Sequence, residues 1–127
     1  MASSRGLADR FTFEVADVLK LQLPQQSADI VLLFGIMTCL VSDNDAACAA
    51  RLAACTVKAG GHVLYKDTLH RGKGTRLNYG DGYGAVYRDR DEYLSLIEKN
   101  GMRVLADEWI DVTDDYGSLM VIAERQS

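Results

Sequence analysis

One segment restricts the fold of this chain more than any other. From Ala28 to Met37 the residues are almost without interruption apolar, with Ile30, Val31, Leu32, Leu33, Phe34 and Ile36 following Asp29. An amphipathic helix repeats its apolar positions every three to four residues, and a half-wet strand every second one. A run with neither gap reads as a strand covered on both faces, as in parallel sheets flanked by helices. The expectation is a central parallel strand, entered after Leu23-Pro24.

The residues after that run support a strand, helix, strand order. Ser42 with Asp45 resembles a capping box, and Cys48, Leu52 and Cys55 recur at helical spacing through an alanine-rich stretch that stops at Gly60-Gly61. That predicts a helix over 43 to 58. His62 to Lys66 reads as a short strand. Short turns joining such elements demand a right-handed crossover between parallel neighbours, so the fold class is α/β.

Upstream, Phe11, Phe13 and Val15 alternate with Thr12, Glu14 and Ala16, which predicts an edge strand over 11 to 16 with one wet face and Asp17 at its carboxyl end. Downstream, Asp89 to Asn100 reads as a second helix, with Glu92 three residues after the Asp cap, Tyr93, Leu94 and Ile97 facing inward, and Gly101 as the stop. Met102 to Val112 and Ser118 to Glu124 then form a hairpin. Its turn, Thr113 to Gly117, ends in a Gly able to take positive φ, and the continuously apolar second strand is expected to lie inside the first. Arg71 to Gly84 holds five of the 11 glycines and reads as a loop.

Composition narrows the partners. The 127 residues fit a single domain spanning 1–127, and 14 Lys and Arg against 18 Asp and Glu leave a net charge of −4, so neither a phosphate backbone nor an anionic membrane is an expected partner. No stretch is long and apolar enough for a signal peptide or a membrane-spanning helix, so the chain reads as soluble and cytoplasmic. Cys39, Cys48 and Cys55 have no CxxC spacing, and they read as reduced, mostly buried thiols with no metal site.

The order of these elements and the residues at their junctions resemble the C-terminal half of a class I S-adenosylmethionine-dependent methyltransferase. Phe13 to Leu33, with Asp17, Leu23-Pro24 and Asp29, is similar to that family's third strand, acidic turn and fourth strand. Arg51 to Leu64 is similar to its helix, Gly-Gly turn and fifth strand, with Ala59 in place of the usual proline. Tyr87 to Glu98 and Asn100 to Val104 are similar to its last helix and closing hairpin. The resemblance implies a truncated Rossmann-like methyltransferase fold, a mostly parallel sheet of about five strands ending in an antiparallel hairpin and lacking the first two strands. The glycine-rich turn and the acidic residue that hold the cofactor in that family have no counterpart. Gly80-Asp-Gly82-Tyr-Gly84 matches a GxGxG string but follows no buried strand and starts no helix, so it reads as a mobile loop near the substrate face.

Open parallel sheets bind ligands just past the carboxyl ends of their strands. By resemblance Asp17 and Val18 would hold the adenine end of S-adenosylmethionine, and Phe34, Gly35 and Ile36 would line its cleft. Beside the Asp17 role stands a turn-capping one, and beside the role of residues 34 to 36 stands plain core. Asp67 and His70, with Tyr83, Tyr87 and Arg88, are candidates for contact with a methyl acceptor; packing is the alternative for each. No residue is assigned to catalysis.

Activity stays open on the sequence alone, between methyl transfer in a site completed by another chain, a non-catalytic binding or interaction module, and a fragment of a longer enzyme. The missing strands would leave Ile30 to Phe34 with an unpaired side. Either strand 11 to 16 closes onto it across a linker of about ten residues reaching up to roughly 33 Å, or a second chain does, which predicts a homo-oligomer through the sheet edge.

Overall fold

The computed structural model describes residue 10 and residues 12–80 and 83–126, with the side chain of Tyr83 outside that description. The apolar run forms β1, Ala28–Phe34. Ser42 caps the helix after it, α1, Asp43–Thr56: its hydroxyl accepts from the Asp45 amide at 3.4 Å, and Asp43 and Asp45 put negative charge in the first turn. β2 then runs Val57–His70, much longer than the five-residue strand expected, because β6 supplies it with a partner along most of that length. Next come the short strands β3, Arg76–Gly80, and β4, Tyr83–Tyr87. Asp89 caps α2, Arg90–Glu98, accepting from the Glu92 amide at 2.8 Å. β5, Met102–Ile110, and β6, Tyr116–Arg125, close the chain.

The main sheet has the order β1-β2-β6-β5. β1 and β2 are parallel, with Val31 opposite Val63 and Leu33 opposite Tyr65. β6 pairs antiparallel with both β2 and β5, so the apolar last strand is inside and β5 lies at the edge. Gly61 is needed where β2 passes β1. A Cβ there would sit 2.6 Å from Val57 Cγ2 and 2.8 Å from the Asp29 carbonyl oxygen.

Both helices pack on one face. Val63, Tyr65, Leu119, Val121, Ala123 and Met102 point into it and are buried against Ala46, Ala49, Ala50 and Ala53 of α1 and Tyr93 and Ile97 of α2. Two expectations about α1 change here. Its inward stripe is alanine, which lets the helix lie close on the sheet, while Cys48 is displaced to a half-buried flank and Cys55 is exposed. With Cys39 also exposed, the thiols are not mostly buried.

Strands and turns depart from expectation in three further places. Residues 12–17 join no ladder, and Phe13 and Val15 are 80% and 88% exposed. Alternation favours a strand only where a neighbour lies beside it, and no described strand does; Phe11 is outside the described residues. The main sheet therefore has four strands, one parallel pair among them, and β1 is its edge. The glycine-rich stretch contains the antiparallel pair β3 and β4, with Gly80 opposite Tyr83. Gly117 does not take positive φ; Asp111 does (φ 50°), and Gly117 instead makes room for Val112 and Trp109, which a Cβ would meet at 2.9 and 3.0 Å.

Candidate functional site

The carboxyl ends of β1 and β2 carry half of the residues singled out from the sequence, Phe34, Gly35, Ile36, Asp67 and His70. β1 ends in a left-handed turn. Gly35 has φ +72°, a conformation that costs other residues on the order of 1 kcal/mol, and its amide donates to the Lys66 carbonyl at 2.7 Å. The chain then makes one 3-10 turn, Met37–Cys39. Phe34 is 46% exposed, Ile36 is half-buried, and nothing stands within 4 Å of where a Gly35 Cβ would lie. Residues 34 to 36 thus present an aromatic face, bare backbone and an aliphatic flank in succession.

Two charged residues hold that turn from inside. Asp67, 2% exposed, accepts from the Thr38 amide and hydroxyl, both at 2.9 Å, on one oxygen, and from the Tyr93 hydroxyl at 2.6 Å on the other. Arg88, 1% exposed, donates to the carbonyls of Met37 (2.9 Å) and Leu40 (2.8 Å) and pairs with Asp43 Oδ1 at 3.3 Å. The turn after β1 is therefore gripped at its start, middle and end by Arg88, which follows β4, and by Asp67 of β2, itself held by Tyr93 of α2.

Burial raises the pKa of Asp67; its hydrogen bonds from Tyr93 and Thr38 and the Arg88 charge oppose that shift without cancelling it. Burial and the neighbouring carboxylate hold Tyr93 and Tyr65 protonated far above the usual phenol range. Among the described residues, Tyr65 Oη and Arg88 Nε are buried polar atoms with no partner.

Asp67 and Arg88 are candidates for acceptor contact or for packing. Both carboxylate oxygens of Asp67 and the terminal nitrogens of Arg88 are engaged with the protein itself, and through these bonds the two residues position the turn. No local pattern signals this, because the partners of Arg88 are backbone carbonyls 48 and 51 residues away.

Of the remaining candidates, Asp17 is exposed at the start of a turn, with Oδ1 accepting from the Leu19 amide at 2.9 Å and its carbonyl from that of Lys20 at 2.9 Å. Oδ2 has no hydrogen bond among the described residues. Val18, half-buried, packs against the core, and the segment it opens lies over α1. Between them is a cavity of about 420 Å³ lined by Val18, Leu19, Leu21, Cys48, Leu52 and Cys55 among others.

His70 is 5% exposed, and its Nδ1 lies 2.7 Å from the Gly74 carbonyl. A carbonyl only accepts, so Nδ1 carries a ring proton. Tyr116, not singled out from the sequence, gathers the aromatic groups. His70 lies 5.9 Å from its ring and Tyr87 5.1 Å, and the Arg76 guanidinium carbon sits 6.0 Å from its centroid. Its place between two turn-forming aspartates and Gly117 masked it. Among the described residues no three His, Cys, Asp or Glu side chains group to hold a metal ion, and no helix is long and apolar enough to cross a membrane.

The groups present suit one end of a nucleoside cofactor. Asp17 offers a free acceptor-only oxygen, and Phe34 with Gly35 offers a flat apolar ledge. Among the described residues no comparable pair is set to hold ribose hydroxyls or an amino-acid terminus.

No family model matches the sequence, and no curated protein matches it. Solved structures do match. The 1,6-didemethyltoxoflavin-N1-methyltransferase of Burkholderia thailandensis, with 1,6-didemethyltoxoflavin and S-adenosylhomocysteine bound, superimposes with a TM-score of 0.81 over 98% of this chain and 55% of its own, at 12% identity. A (4+2)-cyclase, SpnF, gives 0.77 over 98% and 59%, at 17% identity. An S-adenosylmethionine-dependent methyltransferase from Mesorhizobium loti gives 0.73 over 98% and 74%, at 20% identity. The chain has the fold of the class I S-adenosylmethionine-dependent methyltransferases, and it spans between 55% and 74% of the length of these three structures. At such identities the likeness concerns the fold. That a cyclase stands among the matches shows that the fold does not name the reaction.

Proposed function

We propose that this chain carries the adenine-side half of an S-adenosylmethionine site of the methyltransferase kind, and that methyl transfer to an acceptor requires a further half, from this or another polypeptide, to complete the cradle. The observation that carries the reading is the clamped turn after β1. Gly35 in its left-handed conformation, its amide bonded to the Lys66 carbonyl, opens a turn that Asp67 holds at Thr38 and Arg88 at Met37 and Leu40, and it puts backbone and the Phe34 ring at the strand end where sheets of this kind bind ligands. A buried carboxylate and a buried guanidinium holding a three-residue turn make a rigid ledge, and rigidity is what a positioning site needs.

On this reading Asp17 accepts from the adenine amino group through its free oxygen, Val18 flanks the ring, and Phe34, Gly35 and Ile36 line the cleft. The cofactor, when bound, supplies an electrophilic methyl on a sulfonium. What the chain contributes is orientation and exclusion of water, since such a transfer needs the nucleophile in line at near-attack distance and little else. The reading assigns acceptor contact to His70, Tyr83 and Tyr87. Asp67 and Arg88 act there only through the turn they hold.

The expected binding is weak, because the several hydrogen bonds to ribose and amino acid, each worth about 1 kcal/mol, are absent. Titration calorimetry with S-adenosylhomocysteine should give a dissociation constant in the millimolar range, abolished by Asp17→Ala. The absence of heat at millimolar ligand counts against the reading. It would favour a second one, a methyltransferase-like module that binds partners without catalysis, for which the inward engagement of Asp67 and Arg88 speaks.

A further inference from the structure

The sheet has two faces and only one is covered. Residues that alternate with the core positions point to the other, and the ladders align them in three rows. Leu32, Leu64, Ile122 and Ala106 form a continuous apolar row across all four strands. On one side of it runs Ile30, His62, Glu124 and Arg103; on the other, Phe34, Lys66, Met120 and Glu108. Ile30, Leu32, Phe34 and Ile122 are 59%, 56%, 46% and 38% exposed. No described helix packs on this side.

We infer that this face binds the same face of a second copy of the chain, sheet on sheet. Three observations select that occupant. Charge is the first: the face carries Lys66 and Arg103 against Glu108 and Glu124, so it is neutral within a chain of net charge −4 and meets its own copy without net repulsion. A strongly basic or acidic partner would find no matching field. Size is the second. Four strands about 4.8 Å apart and roughly seven residues at about 3.3 Å each give a face of about 19 by 23 Å. Corrugated by side chains, such a face exposes on the order of 700 Å², close to the roughly 800 Å² per partner of a standard stable interface.

Geometry is the third. A two-fold axis in the plane between the sheets, parallel to the strands, lays the apolar row of one copy over that of the other with β1 opposite β5, a self-complementary contact that closes at two. Pairing through the free edge of β1 alone, the arrangement expected from the sequence, extends the sheet but leaves Leu64 and Ile122 in water.

Light scattering after size exclusion, at protein concentrations from micromolar to about 100 μM, tests the inference. The expected species is a dimer that Leu64→Glu and Ile122→Glu each convert to monomer with an unchanged far-ultraviolet circular dichroism spectrum. Leu77→Glu, on β3 away from the four-stranded sheet (Leu77 is 56% exposed), should leave the dimer intact. A monomeric wild-type chain at the highest concentration overturns the inference, as does a dimer that survives both face substitutions or an open-ended series of oligomers, which edge pairing would give. A chain that stays monomeric until a different polypeptide is added also overturns it. The inference stands apart from cofactor binding: the mass decides the dimer, and calorimetry decides the ligand.

Discussion

The covered and open faces of one sheet differ more than any two elements of the molecule. They are built from the same strands, residue by residue: Val63, Tyr65, Leu119 and Val121 point one way and are fully buried, while Leu64, Met120 and Ile122, their immediate neighbours in sequence, point the other. The two sets are about equally apolar. What separates them is the presence of alanine-faced α1 and of α2 on one side. Hydrophobicity along the strands thus records a sheet suited to two covers, and the described chain supplies one.

Stability measurements can break that comparison or sharpen it. The largest difference is expected between Leu119→Ala and Ile122→Ala. Truncating Leu119, 0% exposed, leaves a cavity between the sheet and the helices and should cost about 3 kcal/mol, whereas Ile122→Ala should cost below about 1 kcal/mol in the monomer. Equal losses in urea unfolding at low protein concentration would mean that both faces are covered. Arg88→Met comes next, at about 2 kcal/mol. It leaves the Met37 and Leu40 carbonyls buried without their donor, and the effect should appear as faster exchange of amides in the turn as well as in the unfolding midpoint. Gly35→Ala should cost about 1 kcal/mol through positive φ alone, since no atom obstructs the added methyl. A neutral result would mean that the turn relaxes out of the left-handed region.

The smallest effects are those of pH, and they have opposite signs at two carboxylates. Asp67 binds its proton more tightly folded than unfolded, chiefly because it is buried, so its contribution to stability is full below the ordinary carboxylate pKa of about 4 and falls as the pH climbs through the raised value. Asp89 is held below its ordinary value, first by the Glu92 amide, with the Gly74 amide adding to it. Its contribution is present above about pH 4 and lost as the pH falls through the lowered value. Asp67→Asn should therefore flatten a decline in stability on the alkaline side of pH 4, and Asp89→Asn should flatten a loss on the acid side. Slopes of the same sign for the two differences would remove the distinction between the covered carboxylate and the surface one.

Much of this was legible in the amino acids. β1 announced itself through an unbroken apolar run, α1 and α2 through Ser42 and Asp89 with their acidic first turns, and the inner position of β6 through Leu119 to Ala123. These are local signals, written within a few residues of where they act. The misreadings share a cause: what decides them lies elsewhere in the chain. Phe13 and Val15 alternate as a strand would, but a strand needs a neighbour. Cys48, Leu52 and Cys55 trace a helical stripe as regular as the alanine stripe beside it, and only the sheet determines which turns inward. Asp67 and Arg88 carried a packing alternative beside the acceptor one, and nothing local separates the two: the partners of Arg88 are distant backbone carbonyls, and those of Asp67 are Thr38 and Tyr93, 29 and 26 residues away. The β3–β4 pair did have a local sign, the Asp81-Gly82 step between Gly80 and Tyr83, a favoured two-residue hairpin connection; the density of glycines around it hides that step.

The Arg88 guanidinium ties residues 37 and 40 to a side chain that arrives only after the chain has passed through β2, β3 and β4. The ledge beside Phe34 therefore cannot set as soon as β1 and α1 have formed. It waits for the later third of the sequence, and any fraying of the stretch that delivers Arg88 is felt at once at Thr38. The turn after β1 and the β3–β4 pair thus form one cooperative unit, and the fastest local opening of one should be matched in rate by that of the other.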